Sequence, residues 1–141
     1  MTARRPRVYV CHPMTCYASD YAEHQIAGIT SALPGCEIVD PEGCHWTSNE
    51  AWLREWPGIL ASLAGLVIFA DHAGTVGVGC LHEITDAVML GVPIAAWEPG
   101  AGLVDLVGVE LVEPDSRSAA RAAFLDYGSL LTARTFPGGC R

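Results

Sequence analysis

The sequence contains no lysine, and its eight basic residues are all arginine. A chain without lysine cannot form a Schiff base with a substrate and lacks the lysine of a Walker P-loop. Between residues 8 and 116 there is one arginine, Arg54, beside fifteen of the sixteen acidic residues. Duplex nucleic acids are bound through many Lys and Arg side chains that neutralise phosphates, so this acidic middle argues against a duplex nucleic acid partner.

Long hydrophobic segments are also missing. The longest apolar run covers residues 59–70 and contains Ser62, whereas a helix that crosses a bilayer needs about 20 apolar residues. The apolar stretch behind the N-terminal arginines covers only residues 8–11, which is shorter than a secretory signal requires. We therefore expect no membrane association and a cytoplasmic protein.

The six cysteines form no C-x-x-C pair. Cys11-His12 and Cys44-His45 are adjacent, which is not the spacing of a structural zinc site. Neighbouring residues on a strand point to opposite faces and chelate poorly. Without a secretory signal, disulfides are not expected either. The sequence predicts buried thiols, no metal and no cofactor.

Half of the 141 residues are hydrophobic and 17% are charged, which predicts one globular domain over residues 1–141. Short runs rich in Val and Ile alternate with segments of helical pattern, as in a parallel sheet with crossover helices. The predicted strands are residues 7–11, 36–40, 66–70, 92–97 and 109–112. Together they predict a doubly wound α/β fold of about five parallel strands in three layers, whose ligand site lies outside the carboxyl ends of the strands.

Helix start and stop signals fall between these strands. Ser19 is a predicted N-cap, Thr47 with Glu50 has the form of a capping box, and Gly91 ends the third helix. Pro57 is predicted to break or kink the second helix and to start a further short helix. The predicted helices cover residues 19–33, 47–63 with this break, 80–90 and 115–133.

Carboxylates are concentrated at the predicted ligand edge. Asp40, Asp71 and Glu98 follow three different strands, and Glu83 falls in the predicted first turn of the third helix. Taken one at a time, such residues are ordinary turn residues or complement a helix dipole. Their convergence on the edge where this architecture binds ligands favours a functional site.

A glycine-rich segment with Gly74, Gly77 and Gly79 leads into the helix that carries Glu83. It is not a dinucleotide fingerprint, because His82 stands where G-x-G-x-x-G needs its last glycine. The segment either presents backbone N–H groups to an anion or only shapes a tight turn. The sequence is compatible with both anion binding and a purely structural turn.

These features resemble the nucleoside 2-deoxyribosyltransferase-like superfamily, a group of nucleoside and nucleotide N-glycosidases and N-deoxyribosyltransferases. The resemblance covers about residues 7–97, roughly two thirds of the chain, and rests on Tyr9, on Pro13-Met14, on Asp40-Pro41 and on the block at residues 71–93. In that block the glycine-rich segment is followed by Glu83 and by a helix that ends Gly-x-Pro before an apolar strand. The resemblance implies a flavodoxin-like fold and an oligomer, with Tyr127 and the tail to residue 141 as candidates to complete a neighbour's site.

By this resemblance, the candidate catalytic residues are Glu83 as nucleophile, Tyr9 as the residue that orients it, and Asp71 as general acid near the base or sugar. The candidate substrate-binding residues are His12, Pro13, Met14, Asp40, Gly74, Thr75, Gly77 and Gly79. A carboxylate that attacks the anomeric carbon, with an acid that assists departure of the base, is the chemistry such a pair performs. Two extra residues separate the glycines from Glu83 compared with the commoner Gly-x-Gly-x-Glu form. Many members carry an aspartate before the third strand; that position falls near Trp56-Pro57 here, where Glu55 is a candidate substitute.

The sequence hypothesis is therefore cleavage or transfer of an N-glycosidic bond on a small nucleoside or nucleoside 5′-monophosphate by a homo-oligomeric enzyme. One alternative is a non-catalytic nucleotide-binding or sensing module on the same fold. Another is an accessory protein that assembles with a partner through the segment with Trp46, Trp52 and Trp56. Core packing is the default interpretation of these tryptophans, and base stacking is the second.

Overall fold

A computed structural model describes residues 4–71, 75–104 and 110–111. Its main sheet has the strand order β2-β1-β3-β5-β6. The first four of these strands are parallel, and β6 runs antiparallel to β5. A second, two-stranded parallel sheet joins β4 to β7. The strands are β1 Arg7–Cys11, β2 Glu37–Val39, β3 Gly65–Ile68, β4 Thr75–Val76, β5 Ile94–Glu98, β6 Gly102–Val104 and β7 Glu110–Leu111.

In the part of the chain that the structure describes, three helices cover the two faces of the main sheet: α1 Asp20–Ala32, α2 Asn49–Ala61 and α3 Val78–Leu90. On one face, Ile29 of α1 packs with Val8, Val10 and Phe69 in a buried cluster. On the other face, α2 and α3 contribute buried residues to a cluster that includes Tyr9 and Cys11 of β1. The predicted three-layer α/β architecture, consistent with a flavodoxin-like fold, is confirmed.

Strand β1 lies between β2 and β3 and supplies side chains to both faces. Tyr9 pairs with Val39 on one side and with Leu66 on the other. Because the side chains of a strand alternate, Tyr9 and Cys11 point toward α2 and α3, whereas Val8 and Val10 point toward α1. This alternation decides which residues of β1 meet which helix.

The prediction of five parallel strands is wrong at its last strand. After β5 the chain turns back as a hairpin, in which Ala101 N–H donates to the Glu98 carbonyl at 2.9 Å. Gly100 and Gly102 adopt φ values of 83° and 85°, which glycine takes without steric cost. The fifth strand of the main sheet is therefore the antiparallel β6. The predicted strand at 109–112 appears as β7, which pairs with β4 instead.

The predicted start of a second short helix at Pro57 is also wrong. Helix α2 continues through Pro57, and its N-cap is Ser48, which accepts from Ala51 N–H at 3.1 Å, in place of the predicted Thr47. Proline removes one backbone donor from a helix. Trp56 and Leu60 are buried on either side of it, and this tertiary packing holds the helical turns together.

The first and third helices agree with the sequence signals. Ser19 caps α1 by accepting from Ala22 N–H, and Gly91 ends α3 at a φ of 80°. No described helix is both long and apolar enough to cross a bilayer. The predicted helix at 115–133, Tyr127 and the C-terminal tail lie outside the described residues. The single domain over residues 1–141 therefore stays a prediction.

Candidate active site

Glu83 lies on the face of α3 that packs against the sheet. Its neighbours on that face, Cys80, Ile84 and Ala87, are buried, and Glu83 itself is 6% exposed. The prediction that Glu83 falls in the first helical turn is wrong, because α3 begins at Val78 and Glu83 is its sixth residue. The helix starts early because the glycine-rich segment itself forms its first turn, in which Leu81 N–H donates to the Gly77 carbonyl at 3.1 Å.

The glycines predicted to bind substrate have local structural roles in α3. Gly77 is the N-cap, at a φ of −91°, and Gly79 lies within the helix. A Cβ added at either position would meet no atom within 4 Å, so neither glycine is required by a close approach. Thr75 is in β4, and Gly74 lies outside the described residues.

Tyr9 and Glu83, paired in the sequence hypothesis, lie in contact. The Tyr9 hydroxyl donates to Glu83 Oε2 at 2.5 Å across 74 residues of sequence. Tyr9 is fully buried in the middle of β1, where strands on both sides hold its backbone. The fold therefore aims a fixed donor at one oxygen of the carboxylate.

Two further donors to Glu83 were not predicted. Trp52 Nε1 donates to Oε2 at 3.1 Å, and the Cys11 thiol donates to Oε1 at 3.3 Å. Cys11 had a recognisable signal, because it stands two residues after Tyr9 and shares its strand face. We call Tyr9, Cys11, Trp52, Cys80 and Glu83 the Glu83 cluster.

Trp52 and Trp56 of α2 form a matched pair against α3. Trp52 donates to Glu83, and Trp56 Nε1 donates to Asp86 Oδ2 at 3.0 Å. Trp56 is buried and its ring lies 4.9 Å from that of Tyr9. Both indoles face inward, in agreement with core packing and not with a docking face. The side-chain nitrogen of Trp46 is buried and has no hydrogen-bond partner among the described residues.

Burial controls the ionisation of the Glu83 cluster. It raises the pKa of Glu83, and the hydrogen bonds from Tyr9, Cys11 and Trp52 oppose that rise without cancelling it. Burial, reinforced by the negative charge of Glu83, also raises the pKa of Tyr9. Tyr9 therefore stays protonated and remains a hydrogen-bond donor to the carboxylate.

A second polar group, the His12–Asp40 pair, lies on the opposite side of β1. His12 follows Cys11 and stacks on Phe69, with ring centroids 4.8 Å apart and planes 8° from parallel. Its Nε2 lies 3.0 Å from Asp40 Oδ1, which also accepts from Glu42 N–H at 3.0 Å. Burial opposes the ionisation of Asp40, but these hydrogen bonds together outweigh it and lower the pKa of this carboxyl.

The remaining predicted residues lie around the carboxyl ends of β1 and β3. Asp71, half-buried beyond β3, accepts from the Thr15 hydroxyl at 3.3 Å. Pro13 is buried and Met14 is 78% exposed at the start of a 3₁₀ turn at Met14–Cys16. Glu98 is exposed at the end of β5.

Tyr17 packs against His12 of the His12–Asp40 pair and was not singled out by the sequence. Its ring lies 4.9 Å from that of His12. Burial raises the pKa of Tyr17, and the negative charges of Glu83 and Asp40 are among the further causes. The half-buried phenol of Tyr17 therefore interacts electrostatically with both carboxylates.

His82 points toward Asp86 and away from the hydrogen bonds of Glu83, as expected for neighbours on a helix. Its Nε2 lies 3.1 Å from Asp86 Oδ2, one turn further along α3. The ring of His82 also packs edge-on against Trp52, with centroids 5.1 Å apart.

A cavity of about 280 Å³ lies away from both groups, against α1. Gln25, Gly28 and Trp97 line it, and Trp97 Nε1 donates to Gln25 Oε1 at 2.9 Å. A Cβ added at Gly28 would come within 2.6 Å of the Trp97 ring, so this glycine is needed for the close packing of α1 on β5.

Neither a protein-family model nor a curated protein matches the sequence. One solved structure, a conserved protein from Enterococcus faecalis V583, is similar to this chain with a TM-score of 0.57 and 13% sequence identity. The similarity covers 94% of this chain and 100% of that one. At this identity the similarity establishes the fold alone, in agreement with the three-layer α/β architecture.

Proposed function

We propose that this chain cleaves or transfers the N-glycosidic bond of a small nucleoside or nucleoside 5′-monophosphate, with Glu83 as the nucleophile. The observation that carries the proposal is the buried carboxylate of Glu83, whose Oε2 accepts from both Tyr9 and Trp52. An indole N–H can only donate, so the Glu83 Oε2 acts as acceptor in that contact. The two donors hold the carboxylate in one orientation, which a nucleophile requires.

The chemistry needs a second group to release the base. In the proposed reaction a Glu83 oxygen bonds to the anomeric carbon while the bond from that carbon to the base nitrogen breaks. An acid supplies the proton that the departing base takes up, and Asp71 at the end of β3 is our candidate. The glycosyl ester on Glu83 is then broken by water in a hydrolase, or by the nitrogen of a second base in a transferase.

Substrate recognition is assigned to the His12–Asp40 pair and to the exposed turn after β1. Asp40 carries a lowered pKa, and an ionised carboxylate suits hydrogen-bond donors on a base or sugar. Arginine is scarce in this part of the chain, so a monophosphate suits the site better than a polyphosphate. The alternative function is nucleotide binding without turnover, and the experiment described below distinguishes it from catalysis.

We further propose that the enzyme is a cytoplasmic homo-oligomer. Met89 and Leu90 at the end of α3 are 80% and 59% exposed, and large exposed apolar side chains are typical of a contact between subunits. Sedimentation of the full chain should give more than one subunit. A monomer at micromolar concentration would contradict this part of the proposal.

The test is release of free base from a panel of nucleosides and 5′-monophosphates, separated by chromatography. Glu83→Gln keeps the size of the side chain and should reduce release at least about 1,000-fold, as expected when a nucleophile is removed. Asp86→Asn is the matched control, because Asp86 is on the same helix and accepts from Trp56 in the same way. It should leave release unchanged, and an added second base should distinguish transfer from hydrolysis.

Equilibrium binding completes the test. Binding of a nucleotide by wild type and by Glu83→Gln, with no release by either, would replace the enzyme with the non-catalytic binding module. Equal release by wild type and Glu83→Gln would show glycosidic chemistry that does not use Glu83, and would overturn its assignment as nucleophile.

A further inference from the structure

Three metal-ligating side chains meet inside the Glu83 cluster. The sulfur atoms of Cys11 and Cys80 and a carboxylate oxygen of Glu83 all lie within 4.8 Å of one another. The three residues are 0%, 4% and 6% exposed. The Cys11 thiol donates to Glu83 Oε1 at 3.3 Å and lies 3.9 Å from the Cys80 carbonyl oxygen. Two thiols and a carboxylate are thus brought to one buried point.

We propose that Cys11, Cys80 and Glu83 form a binding site for a thiophilic divalent cation, with Zn²⁺ as the ion that fits best. Zinc takes Cys and Glu ligands in a tetrahedron, with bonds of about 2.0–2.3 Å that put the ligand atoms about 3.5–3.8 Å apart. Because the ligand atoms lie within 4.8 Å of one another, each separation has to shorten by about 1.3 Å or less to reach that spacing. Two thiolates disfavour Mg²⁺ and Ca²⁺, which take oxygen ligands.

The carboxylate of Glu83 is already oriented for this role. Tyr9 and Trp52 both donate to Oε2, which leaves Oε1 facing the thiol of Cys11. Outer hydrogen bonds of this kind orient metal-binding side chains and increase the affinity for the ion. On binding, each thiol releases its proton to solvent, and the cation takes the position between the sulfurs and Oε1.

The charges of the site also favour a divalent cation. Two thiolates and a carboxylate with one Zn²⁺ leave a single negative charge. Cys80 is the third residue of α3, so the positive end of the helix dipole lies beside its sulfur. The hydrogen bonds that Tyr9 and Trp52 donate to Oε2 stabilise the remaining negative charge. Three protein ligands leave a fourth position for water or another small ligand.

Sequence spacing could not find this site, because Cys11 and Cys80 are 69 residues apart and come from β1 and α3. The adjacent pair Cys11-His12 is misleading, since His12 points away from the Glu83 cluster toward Phe69. A bound cation would occupy Oε1 and block Glu83 as a nucleophile. This inhibition rests on the proposed function, whereas the metal site itself does not.

The test is to titrate the metal-free full chain with Co²⁺ and to monitor the absorption band of thiolate-to-cobalt charge transfer. We expect one Co²⁺ per chain, displaced by Zn²⁺. Cys11→Ser and Cys80→Ser should each weaken binding at least about 10-fold, the loss that even outer-shell partners cause. Cys36→Ser is the control, because Cys36 is a buried cysteine of the opposite cluster, and it should bind as wild type.

Absence of thiolate charge-transfer absorption in wild type, or wild-type affinity in Cys80→Ser, would overturn the site. X-ray absorption of the zinc-loaded wild type keeps the test independent of variant folding. It should give two sulfur neighbours at about 2.3 Å, and a first shell without sulfur would overturn the proposal. Base release with and without Zn²⁺ then tests inhibition separately, so loss of the enzyme hypothesis leaves the metal result intact.

Discussion

Cys11 of the Glu83 cluster ends β1, and His12 of the His12–Asp40 pair is the next residue, but the two side chains lie on opposite faces of the sheet. In the cluster, burial raises the pKa of Glu83 against three donors. In the pair, hydrogen bonds overcome burial and lower the pKa of Asp40. One end of the sheet therefore holds two carboxyls whose pKa values are moved in opposite directions, and such separation marks groups with different chemical tasks.

The opposite pKa shifts of Glu83 and Asp40 depend on solvent exposure as much as on hydrogen-bond partners. Glu83 lies between α3 and the sheet with three donors and 6% exposure, whereas the side chain of Asp40 is 31% exposed. Hydrogen-bond donors that keep a half-buried carboxyl ionised do not fully offset the cost of burying a charged carboxylate in the core. This comparison is consistent with the roles proposed above, in which Glu83 performs covalent chemistry and Asp40 binds substrate.

After substitution of Glu83 itself, the largest effect should follow from Tyr9→Phe, which removes the shortest hydrogen bond to Glu83 and keeps the aromatic ring in the core. We expect kcat to fall about 100-fold, the typical loss for one preorganised donor, with little change in KM. The acidic limb of the pH profile should move to higher pH, since the pKa of Glu83 rises further when it loses a donor.

Tyr21→Phe is the matched control for this substitution. The Tyr21 hydroxyl donates to the Ala70 carbonyl at 2.8 Å on the α1 side of the sheet. It should lose neither turnover nor the position of the acidic limb. Equal losses in Tyr9→Phe and Tyr21→Phe would mean that a general loss of packing, and not the contact with Glu83, explains the effect.

Much of the fold could be predicted from the sequence because its signals are local. The strand at Arg7–Cys11, the Ser19 cap and the Gly91 stop depend on residue types within a few positions, and all appear in the structure. The failures at Pro57 and at β6 have tertiary causes. Burial of Trp56 and Leu60 overrides a helix breaker, and a hairpin at Gly100 returns the chain to the sheet edge.

The candidate site was less accessible to sequence reasoning. Tyr9 and Glu83 were paired by resemblance, and the structure brings them into contact. Trp52 was predicted to pack in the core or stack on a base, and Cys80 to be a buried thiol. Their approach to Glu83 was not predictable, because it depends on how α2 and α3 pack on the same face of the sheet. Hydrophobic patterning predicts that such residues are buried, but it does not predict which polar atom each one meets.

An intermediate effect should distinguish the two tryptophans of α2. Trp52→Phe removes a donor to Glu83, and Trp56→Phe removes the equivalent donor to Asp86. We expect Trp52→Phe to lower kcat about 10-fold or more. Trp56→Phe should leave kcat unchanged but reduce the free energy of unfolding by about 1–3 kcal/mol, because Trp56 is buried.

Base release and urea denaturation of both variants provide the measurement. The comparison between the two indoles is informative because their hydrogen-bond lengths are nearly equal, 3.1 and 3.0 Å. A loss of kcat in Trp56→Phe as large as that in Trp52→Phe would show that the orientation of α3 as a whole, and not the donor to Glu83, controls turnover.

The smallest effect should be that of Asp40→Asn. We expect a several-fold rise in KM with little change in kcat, since Asp40 is assigned to recognition. The folded-state pKa of Asp40 lies below its ordinary value of 3.8, so its ionisation stabilises the fold above that pH. This stabilisation is lost as the pH falls through the lowered pKa. For a side chain 31% exposed it should be about 1 kcal/mol or less.

Urea denaturation of wild type and Asp40→Asn at pH 7 and near pH 3 checks this last expectation. Wild type should be the more stable at pH 7, and the difference should shrink at the acidic pH, where its own carboxyl takes up a proton. Asp86→Asn serves as a comparison, because Asp86 is a half-exposed carboxyl beside a different histidine, His82. A difference that persists unchanged at acidic pH would show that Asp40 stabilises the turn through its hydrogen-bond geometry and not through its charge, and the contrast with Glu83 would then rest on burial alone.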